Sequence, residues 1–278
     1  MTKTKGTKEW TKKDGHSGSN VNFQFGCKNG CKYCYAAQFA IRGYKNRTVK
    51  HKNLKQWSAL ITIRQDIIRK NFGKRKGIVM FPSTHDLYFE NIGETLIVLG
   101  KLLEAKNEVL VVTKPDLNTI RMICHEFEFY RDQILFRFTI GSMSSEILAM
   151  WEPHAPDYEE RLAALKYAYD KKFKTSISIE PYLDLRTNLL IEAIEPYVTD
   201  TIWIGLMNYQ NMPYEGKQLY KKCNYVNLYS EQTVRKYLPE WKEAAQGKLR
   251  LKDSIKNLLH IDDSHNTLTN YIEGSDNK

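Results

Sequence analysis

The chain has 278 residues, a formal net charge of +10 at pH 7 and 42% hydrophobic residues. That length suits one large domain with a buried core and a modest extension. No apolar run reaches the length of a membrane span, and the polar, lysine-rich start lacks the apolar core of a signal peptide. Five cysteines in 278 residues are too sparse, and odd in number, for a disulfide framework. These features predict a cytoplasmic protein with reduced thiols and no membrane partner.

Residues 1–15 are polar and basic and are predicted to form a loosely held N-terminal arm. Apolar and polar residues alternate over residues 21–25, which predicts a first strand. A loop that contains three cysteines follows, and after it a helix is predicted over residues 35–42. Residues 53–71 have the apolar spacing of a second helix.

Buried strands and helices alternate along the rest of the first two thirds of the chain. Further strands are predicted at residues 77–81, 108–113, 134–140, 174–179 and 201–206. Helices are predicted at residues 94–105, 157–171 and 188–195, and another begins at the N-cap residue Asp116. Six strands that alternate with helices are typical of a parallel sheet, which right-handed crossovers would curl into a full or partial α/β barrel.

The C-terminal part differs in composition. We predict a barrel domain over residues 16–213 and a C-terminal extension over residues 214–278. Tyr225 and Trp241 are among the aromatic residues spread through its lysine-rich stretch, and a helix is predicted over residues 231–246. The polar composition from Asp262 onward is typical of a disordered tail.

Polar residues follow the predicted strands at their carboxyl ends, where barrel proteins place reactive groups. The cysteine loop follows the first strand. In chain order, the other residues of this predicted rim are Ser83, Thr84, His85, Asp86, Thr113, Lys114, Thr139, Glu180 and Asn208. The pattern predicts one polar rim on an otherwise apolar scaffold.

Three cysteines, Cys27, Cys31 and Cys34, have the spacing C-x3-C-x2-C, with the aromatic Tyr33 just before the third. Three thiolates in so short a loop can hold three corners of an iron–sulfur cube and leave the fourth iron without a protein ligand. An open coordination position is where a metal performs chemistry rather than holding a fold together.

A structural zinc site is the alternative for these cysteines. Zinc normally takes four protein ligands, often in two pairs, and this chain has no second C-x2-C pair. Cys124 and Cys223 are isolated, and His51 could supply a fourth ligand, although nothing near it has finger-like spacing. Cys124 lies in an amphipathic run and is predicted to be a small buried core residue.

The cysteine spacing, its place after the first strand and the strand count resemble the radical S-adenosylmethionine (SAM) enzymes, which have a partial (β/α)6 barrel. A narrower resemblance is to the spore photoproduct lyase-like group of DNA repair photolyases. It rests on the sequences VVTK at residues 111–114, WEPHAP at residues 151–156 and ERL at residues 160–162. Within these runs, Arg161 is expected to form a structural salt bridge with Glu152.

The resemblance implies a role for each matching residue. Cys27, Cys31 and Cys34 would each bind one iron of a 4Fe-4S cluster, and SAM would chelate the fourth iron. Tyr33 would face the adenine of SAM, chiefly through its backbone, or would simply pack under the cluster. Lys114 would approach the SAM carboxylate, for which a fixed ammonium is a suitable partner.

The remaining cofactor-binding candidates come from three strand ends. Ser83, Thr84 and Asp86 occupy the place where the superfamily often carries a glycine-rich acidic motif that receives the SAM amino group, although the G-G-E form is absent here. Thr139 and Glu180 stand at the ends of the fourth and fifth predicted strands.

The reaction implied by the resemblance is reductive cleavage of SAM to a 5′-deoxyadenosyl radical, which abstracts a hydrogen atom from the substrate. Spore photoproduct lyases carry a cysteine after the second strand that returns a hydrogen atom to the product, and Ser83 holds that place here. An O–H bond of serine is too strong for that task, so thymine-dimer reversal by that mechanism is not expected. Tyr88, or another tyrosine near the rim, is the candidate donor.

Basic residues are concentrated before residue 77 and are interleaved with aromatic residues. This favours a nucleic acid or nucleotide substrate, although a solvated lysine-rich surface explains the same charge. The basic run over residues 42–76 is expected around the barrel mouth or on its flank. The alternatives are a radical SAM enzyme for a peptide or small metabolite, and a non-enzymatic nucleic-acid-binding module. The family resemblance also implies an electron donor such as flavodoxin or ferredoxin.

Overall fold

The computed structural model describes residues 10–43 and 51–261. Its main strands are β1 Ser19–Asn20, β4 Val79–Phe81, β5 Val109–Thr113, β6 Ile134–Thr139, β7 Lys174–Ile179, β8 Ile202–Ile204 and β9 Leu249–Leu251. They form one seven-stranded sheet in the order β1-β4-β5-β6-β7-β8-β9, and every neighbouring pair is parallel. Strands β2 Gln24–Phe25 and β3 Thr62–Ile63 pair antiparallel as a separate two-stranded sheet.

Helices connect the successive parallel strands and continue beyond them. In chain order they are α1 Tyr35–Ile41, α2 Leu54–Ala59, α3 Gln65–Ile68, α4 Ile92–Glu104, α5 Leu117–Glu126, α6 Ser145–Trp151, α7 Tyr158–Asp170, α8 Thr187–Ile194, α9 Tyr214–Lys222, α10 Tyr225–Leu228, α11 Glu231–Ala244 and α12 Asp253–Leu259. Short 3₁₀ helices lie at Phe89–Asn91, Glu128–Gln133, Glu195–Tyr197 and Tyr209–Asn211. The predicted N-cap is confirmed, because the Asp116 carboxylate accepts a hydrogen bond from the Thr119 amide at 2.8 Å.

The core lies between the sheet and its helices. Phe81, Val111, Phe136 and Ile177, one on each of four neighbouring strands, are fully enclosed. Strand β4 is wholly apolar and β5 is apolar up to its final Thr113, which is why they could be found from sequence, whereas β6 and β7 also bury polar residues such as Arg137 and Ser176. Because all the strands run parallel, their carboxyl ends meet at one rim of the sheet. The predicted partial barrel is confirmed.

The predicted first strand is wrong in its pairing. The parallel ladder to β4 includes only Ser19 and Asn20, although the Val21 amide still donates to the Met80 carbonyl at 3.0 Å. The chain then turns away, and β2 pairs with β3 instead. The alternation is real, since Val21 and Phe23 are buried. Alternation reports which side chains are buried and does not identify the partner of the backbone.

The single helix predicted over residues 53–71 is also wrong. The segment forms α2, then β3, then the short helix α3. Thr62 and Ile63 between the two helices are β-branched, which disfavours helix, and they pair with β2. The Arg64 amide also donates to the Phe23 carbonyl at 2.7 Å, which fixes the start of α3.

The C-terminal extension contributes a strand that the sequence did not reveal. Strand β9 pairs with β8 in the register Ile202↔Leu249, so the sheet has seven strands where six were expected. Three residues are too short for a periodic signal. The helix predicted over residues 231–246 is present as α11. The tail from Asp262 and the first nine residues of the arm lie outside the described residues.

Two further expectations can be compared with the structure. Cys124 is buried in α5, as predicted for a small core residue. In the parts of the chain that the structure describes, no helix has both the length and the apolar character needed to cross a membrane.

Candidate active site

A cavity of about 310 Å³ lies at the carboxyl ends of the parallel strands, where the polar rim was predicted. The residues of its wall that were predicted to bind a metal or a cofactor come from five separate segments of the chain. Among the residues in its wall are Cys27, Cys31, Tyr33, Cys34, Ser83, Thr84, Asp86, Lys114, Thr139 and Glu180. One cavity thus brings together every residue predicted to bind a metal or a cofactor.

Tyr88, the predicted hydrogen donor, is not among the described residues that line this cavity. It is buried, and its hydroxyl accepts a hydrogen bond from Gln24 Nε2 at 2.6 Å. Two other tyrosines, Tyr33 and Tyr35, do line the cavity. The Tyr35 hydroxyl donates to the backbone carbonyl of Ser83. The geometry therefore favours Tyr33 or Tyr35 over Tyr88 as a tyrosine that meets the contents of the cavity.

Helix α2 supports one side of the cysteine loop. The Cys27 amide donates to the Trp57 carbonyl at 3.1 Å. Gly26 has φ +84°, and a Cβ there would stand 2.8 Å from the Leu60 carbonyl oxygen, so only glycine permits this approach. At the other end of the loop, the Cys34 sulfur accepts a hydrogen bond from the Ala37 amide at 3.3 Å and caps α1.

The WEPHAP segment supports the opposite side of the loop. The Lys32 amide donates to the Trp151 carbonyl at 2.8 Å. The Tyr33 hydroxyl donates to one oxygen of Glu152, and Arg161 Nη2 donates to the other. The side chains of Glu152 and Arg161 are fully enclosed, which confirms the predicted structural salt bridge. The pair connects the cysteine loop to α7, so its role is structural support of the loop.

Asp86 and Lys114 form a nearly enclosed ion pair at the cavity wall. Lys114 Nζ lies 3.6 Å from Asp86 Oδ2, and the two side chains are only 11% and 13% exposed. Asp86 also accepts hydrogen bonds from the Lys114 amide at 2.7 Å and from Asn29 Nδ2 at 2.9 Å. Burial alone would raise the pKa of Asp86, but the Lys114 charge and these bonds hold it below its usual value. Lys114 is therefore a buried charge and not a surface lysine.

Asn22 fixes the turn that carries Ser83 and Thr84. Its Oδ1 accepts hydrogen bonds from the Ser83 amide at 2.7 Å and the Thr84 amide at 3.1 Å, and its Nδ2 donates to Ser83 Oγ at 2.9 Å. Sequence reasoning missed Asn22, because one asparagine before the cysteine loop has no distinguishing pattern.

Trp10 and Lys252, which are far apart in the sequence, also line the cavity. Lys252, which follows β9, places Nζ 3.8 Å from Glu180 Oε2 and 4.3 Å from the ring centre of Trp10. Burial raises the pKa of Glu180, and Lys252 opposes the shift. Thr139 is half-buried, and its carbonyl accepts a hydrogen bond from Arg161 Nη1 at 3.2 Å. Trp10 and Lys252 were missed, since only the folded chain brings them here.

His85 is buried in the cavity wall with its ring edge-on to Phe23, at 4.6 Å between ring centres. Neither ring nitrogen has a hydrogen-bond partner among the described residues. Burial lowers the pKa of His85 to about 3, so the ring is neutral. A neutral imidazole offers one donor and one acceptor.

The donor set fits an iron–sulfur cluster. The three thiols line one cavity, yet within residues 10–43 and 51–261 no three Cys, His, Asp or Glu side chains converge closely enough for a single metal ion. A 4Fe-4S cube instead takes its thiolates at separate irons. Burial raises the pKa of Cys27 to about 12, so the free thiol is protonated and would have to lose its proton to bind iron. His51, the candidate fourth ligand of a zinc site, is buried, and its Nε2 lies 3.0 Å from the Leu60 carbonyl oxygen.

Comparison with known families decides the identity of this scaffold. The model of the radical SAM superfamily matches residues 21–183, which is more than half of the chain. The chain belongs to the radical SAM superfamily. Enzymes of this family use a 4Fe-4S cluster and SAM, and the matched segment of this radical SAM chain contains the cysteine loop, the Asp86–Lys114 pair and the Glu152–Arg161 pair.

Two curated relatives each match more than half of the chain. The uncharacterised protein ORF301 of Acidianus two-tailed virus is 28% identical over 167 residues, which cover 58% of this chain and 54% of that protein. The uncharacterised protein MJ0683 of Methanocaldococcus jannaschii is 24% identical over 168 residues, covering 59% of this chain and 60% of that protein. The chain thus matches little more than half the length of these curated relatives.

Two solved structures resemble the chain to different degrees. Streptococcus suis SuiB bound to the precursor peptide SuiA superposes with a TM-score of 0.53 at 11% identity, over 84% of this chain and 48% of that chain. Spore photoproduct lyase complexed with a dinucleoside spore photoproduct gives a TM-score of 0.42 at 19% identity, over 67% of this chain and 55% of that chain. The SuiB match supports the fold alone, and the weaker lyase match adds nothing to the argument.

Proposed function

We propose that this chain cleaves SAM reductively and uses the resulting radical to modify or repair a nucleic acid or nucleotide. The observation that carries the cofactor part is the cavity that joins Cys27, Cys31 and Cys34 to the buried Asp86–Lys114 pair. The choice of a nucleic acid or nucleotide substrate rests on the exposed lysines beside the cavity and on the unpaired ring nitrogens of His85.

Cys27, Cys31 and Cys34 would hold three irons of the cluster and leave the fourth for SAM. When bound, the cluster supplies the electron that breaks the bond between the SAM sulfur and its 5′ carbon, giving a 5′-deoxyadenosyl radical that takes a hydrogen atom from the substrate. The protein excludes water from this step, because Cys27 and Cys31 are buried and the loop is supported on both sides.

Asp86 and Lys114 are complementary to the amino acid end of SAM. That end carries an amino group and a carboxylate on one carbon, and the two protein groups lie 3.6 Å apart with opposite charges. Asp86 would accept a hydrogen bond from an N–H of the amino group, whose lone pair would be left for the open iron, while Lys114 would pair with the carboxylate. Such bonds are stronger in a nearly enclosed site than in water. Ser83 and Thr84, held by Asn22, lie in the same wall.

Tyr33 would face the adenine through its backbone, since its hydroxyl is committed to Glu152. Thr139 and Glu180 are proposed to bind the remaining polar groups of SAM, because both line the same cavity. A flavodoxin or ferredoxin is the proposed source of the electron.

A polyanionic substrate is supported by the segment beside the cysteine loop. Helix α2 contacts the loop through Trp57, and Lys52 and Lys55 on this segment are exposed. Exposed lysines at this place could contact phosphates while a base enters the cavity. The ring of His85 lies in the cavity wall, and its two nitrogens are without a hydrogen-bond partner among the described residues. Arg47 and Lys50, which belong to the same basic run, lie outside the described residues.

The direct experiment follows a hydrogen atom. Anaerobically reconstituted protein is reduced with SAM in the presence of deuterated DNA, RNA or nucleotides, and deuterium in 5′-deoxyadenosine is measured. Label from one of these substrates is the expected result. Unlabelled 5′-deoxyadenosine with all of them, but labelled product with a peptide or a small metabolite, would contradict the substrate class. No 5′-deoxyadenosine under any condition would contradict the proposed reaction itself.

A further inference from the structure

Helix α9 of the C-terminal extension lies directly on the cysteine loop. Gly216, in its first turn, is buried, and a Cβ at this position would stand 2.0 Å from the carbonyl oxygen and 2.8 Å from the carbonyl carbon of Lys32. Real Cβ atoms essentially never come closer than 3.0 Å to another heavy atom, and backbone atoms cannot swing aside as side-chain ends do. Lys32 stands between Cys31 and Tyr33 in the loop.

Close approach is the reason for a glycine at this position. Glycine in a helix interior is less favourable than alanine by about 1 kcal/mol, so it needs a compensating contact. Gly216 does not have the left-handed backbone that would otherwise call for glycine. Gly93 in α4 differs in that a Cβ there would meet nothing within 4 Å. Among helical glycines, then, Gly216 is set apart by its contact with Lys32.

The extension reaches the same residue by a second route. The Tyr225 hydroxyl, at the start of α10, accepts a hydrogen bond from Trp151 Nε1 at 2.8 Å. The Trp151 carbonyl in turn accepts the hydrogen bond from the Lys32 amide at 2.8 Å. The Tyr225 and Trp151 rings also pack edge-to-face, with centres 5.0 Å apart. The carbonyl of Lys32 therefore lies against Gly216, and its amide is bonded to Trp151, which Tyr225 in turn holds in place.

We propose that residues 214–229 of the extension are a positioning element for the iron–sulfur cluster, with Gly216 as the residue that sets the distance. Moving the Lys32 peptide moves Cys31 and Tyr33, which flank it. The potential of a cluster depends on solvent exposure and on hydrogen bonds to its sulfurs, both of which change when a ligand loop shifts. The inference rests on the proposed function only in that the three cysteines bind a cluster.

The test compares two glycine-to-alanine variants, Gly216→Ala and the matched control Gly93→Ala. Each is reconstituted anaerobically, and iron content, the electron paramagnetic resonance spectrum of the reduced cluster and its midpoint potential are measured. For Gly216→Ala we expect altered g-values, a shifted potential and a loss of cluster affinity in the roughly 10- to 100-fold range seen when outer partners of a metal site are removed. Gly93→Ala should match the wild type in all three, because its Cβ enters open space.

A milder variant covers the case in which Gly216→Ala does not fold. Tyr225→Phe keeps the ring against Trp151 and removes only the hydroxyl that accepts the indole N–H, so a smaller shift of the same kind is expected. Wild-type spectra and potential in both variants, or in Tyr225→Phe when only that variant folds, would overturn the proposal. Failure of the wild type itself to bind a cluster would overturn the proposed function instead, and the two failures are thus distinguishable.

Discussion

The cysteine loop and the basic segment over residues 51–76 lie side by side but differ in how their side chains are held. Cys27 and Cys31 are buried, and the loop is supported by the fully enclosed Glu152–Arg161 pair. Lys52 and Lys55 on the neighbouring segment are exposed. A fixed geometry suits a cofactor that must be placed to within a fraction of an ångström, whereas an exposed charge suits a flexible polyanion. Substitutions should therefore have large, specific effects in the first region and small, salt-dependent effects in the second.

The largest expected effect comes from Arg161→Met. It leaves the Glu152 carboxylate without its charged partner in an enclosed site, and breaking a buried pair in this way costs on the order of 3–5 kcal/mol of unfolding free energy. Denaturant unfolding measures the loss. The control is Arg235→Ala, which removes an exposed i,i+4 pair with Glu231 and should cost at most about 0.5 kcal/mol. Equal small losses in both would show that the pair does not support the loop.

The next effect concerns Lys114→Ala in reconstituted protein. Loss of a charge-assisted contact costs on the order of 1.5–3 kcal/mol, which is roughly ten- to a hundredfold in SAM affinity. Equilibrium binding of SAM measures it, with iron content as a check that the cluster remains. Lys248→Ala, which removes an ion pair with Glu195 outside the cavity, is the control. Unchanged SAM affinity in a well-folded Lys114→Ala variant would remove Lys114 from the SAM site.

Charge reversal on the basic segment should have a smaller effect that disappears in high salt. The double variant Lys52→Glu, Lys55→Glu should weaken nucleic-acid binding at low salt and reduce the salt slope, because each phosphate contact contributes about −0.7 to −0.9 to it. Reductive cleavage of SAM without substrate should not change. The control is Lys166→Glu, Lys236→Glu, with the same change in net charge. Identical losses in the two double variants would show that only overall charge matters.

The smallest effect should be that of Tyr88→Phe on product yield. Tyr88 is bonded to Gln24 and does not line the cavity, while Tyr35 does. We expect Tyr35→Phe to lower the yield of substrate product relative to 5′-deoxyadenosine more than Tyr88→Phe does. Chromatographic quantification of both products measures the ratio. The reverse order would restore Tyr88 as the hydrogen donor.

Much of this scaffold can be predicted because its strands, their ends and the cysteine loop can each be recognised within a short stretch of sequence. The buried strands β4 and β5 are nearly continuous apolar runs, and the carboxyl ends of the parallel strands meet at one edge, so the rim that includes Asp86, Lys114 and Glu180 follows from chain order. The three cysteines lie within one loop, so their spacing alone identifies them as candidate ligands. The Glu152–Arg161 pair was found through the family resemblance, with a short separation along the chain.

What could not be predicted depends on contacts between distant segments. Trp10 and Lys252 meet in the cavity wall from opposite ends of the chain. The β2–β3 pair diverts a segment whose apolar spacing reads as one helix. Nothing in the sequence distinguishes Gly216 from other glycines, and only the folded chain places it against Lys32. In each case the local sequence pattern gives no signal, because the contact joins segments that are far apart in the chain.

The central claim is that Cys27, Cys31 and Cys34 hold a 4Fe-4S cluster with an open iron. The most direct measurement is iron content together with the electron paramagnetic resonance spectrum of anaerobically reconstituted protein, for Cys31→Ala and for the exposed Cys223→Ala. Three ligands are the minimum, so Cys31→Ala should lose the cluster and all SAM cleavage, while Cys223→Ala keeps both. Four tightly bound irons that survive in Cys31→Ala, or one zinc ion in place of iron in the wild type, would contradict the account.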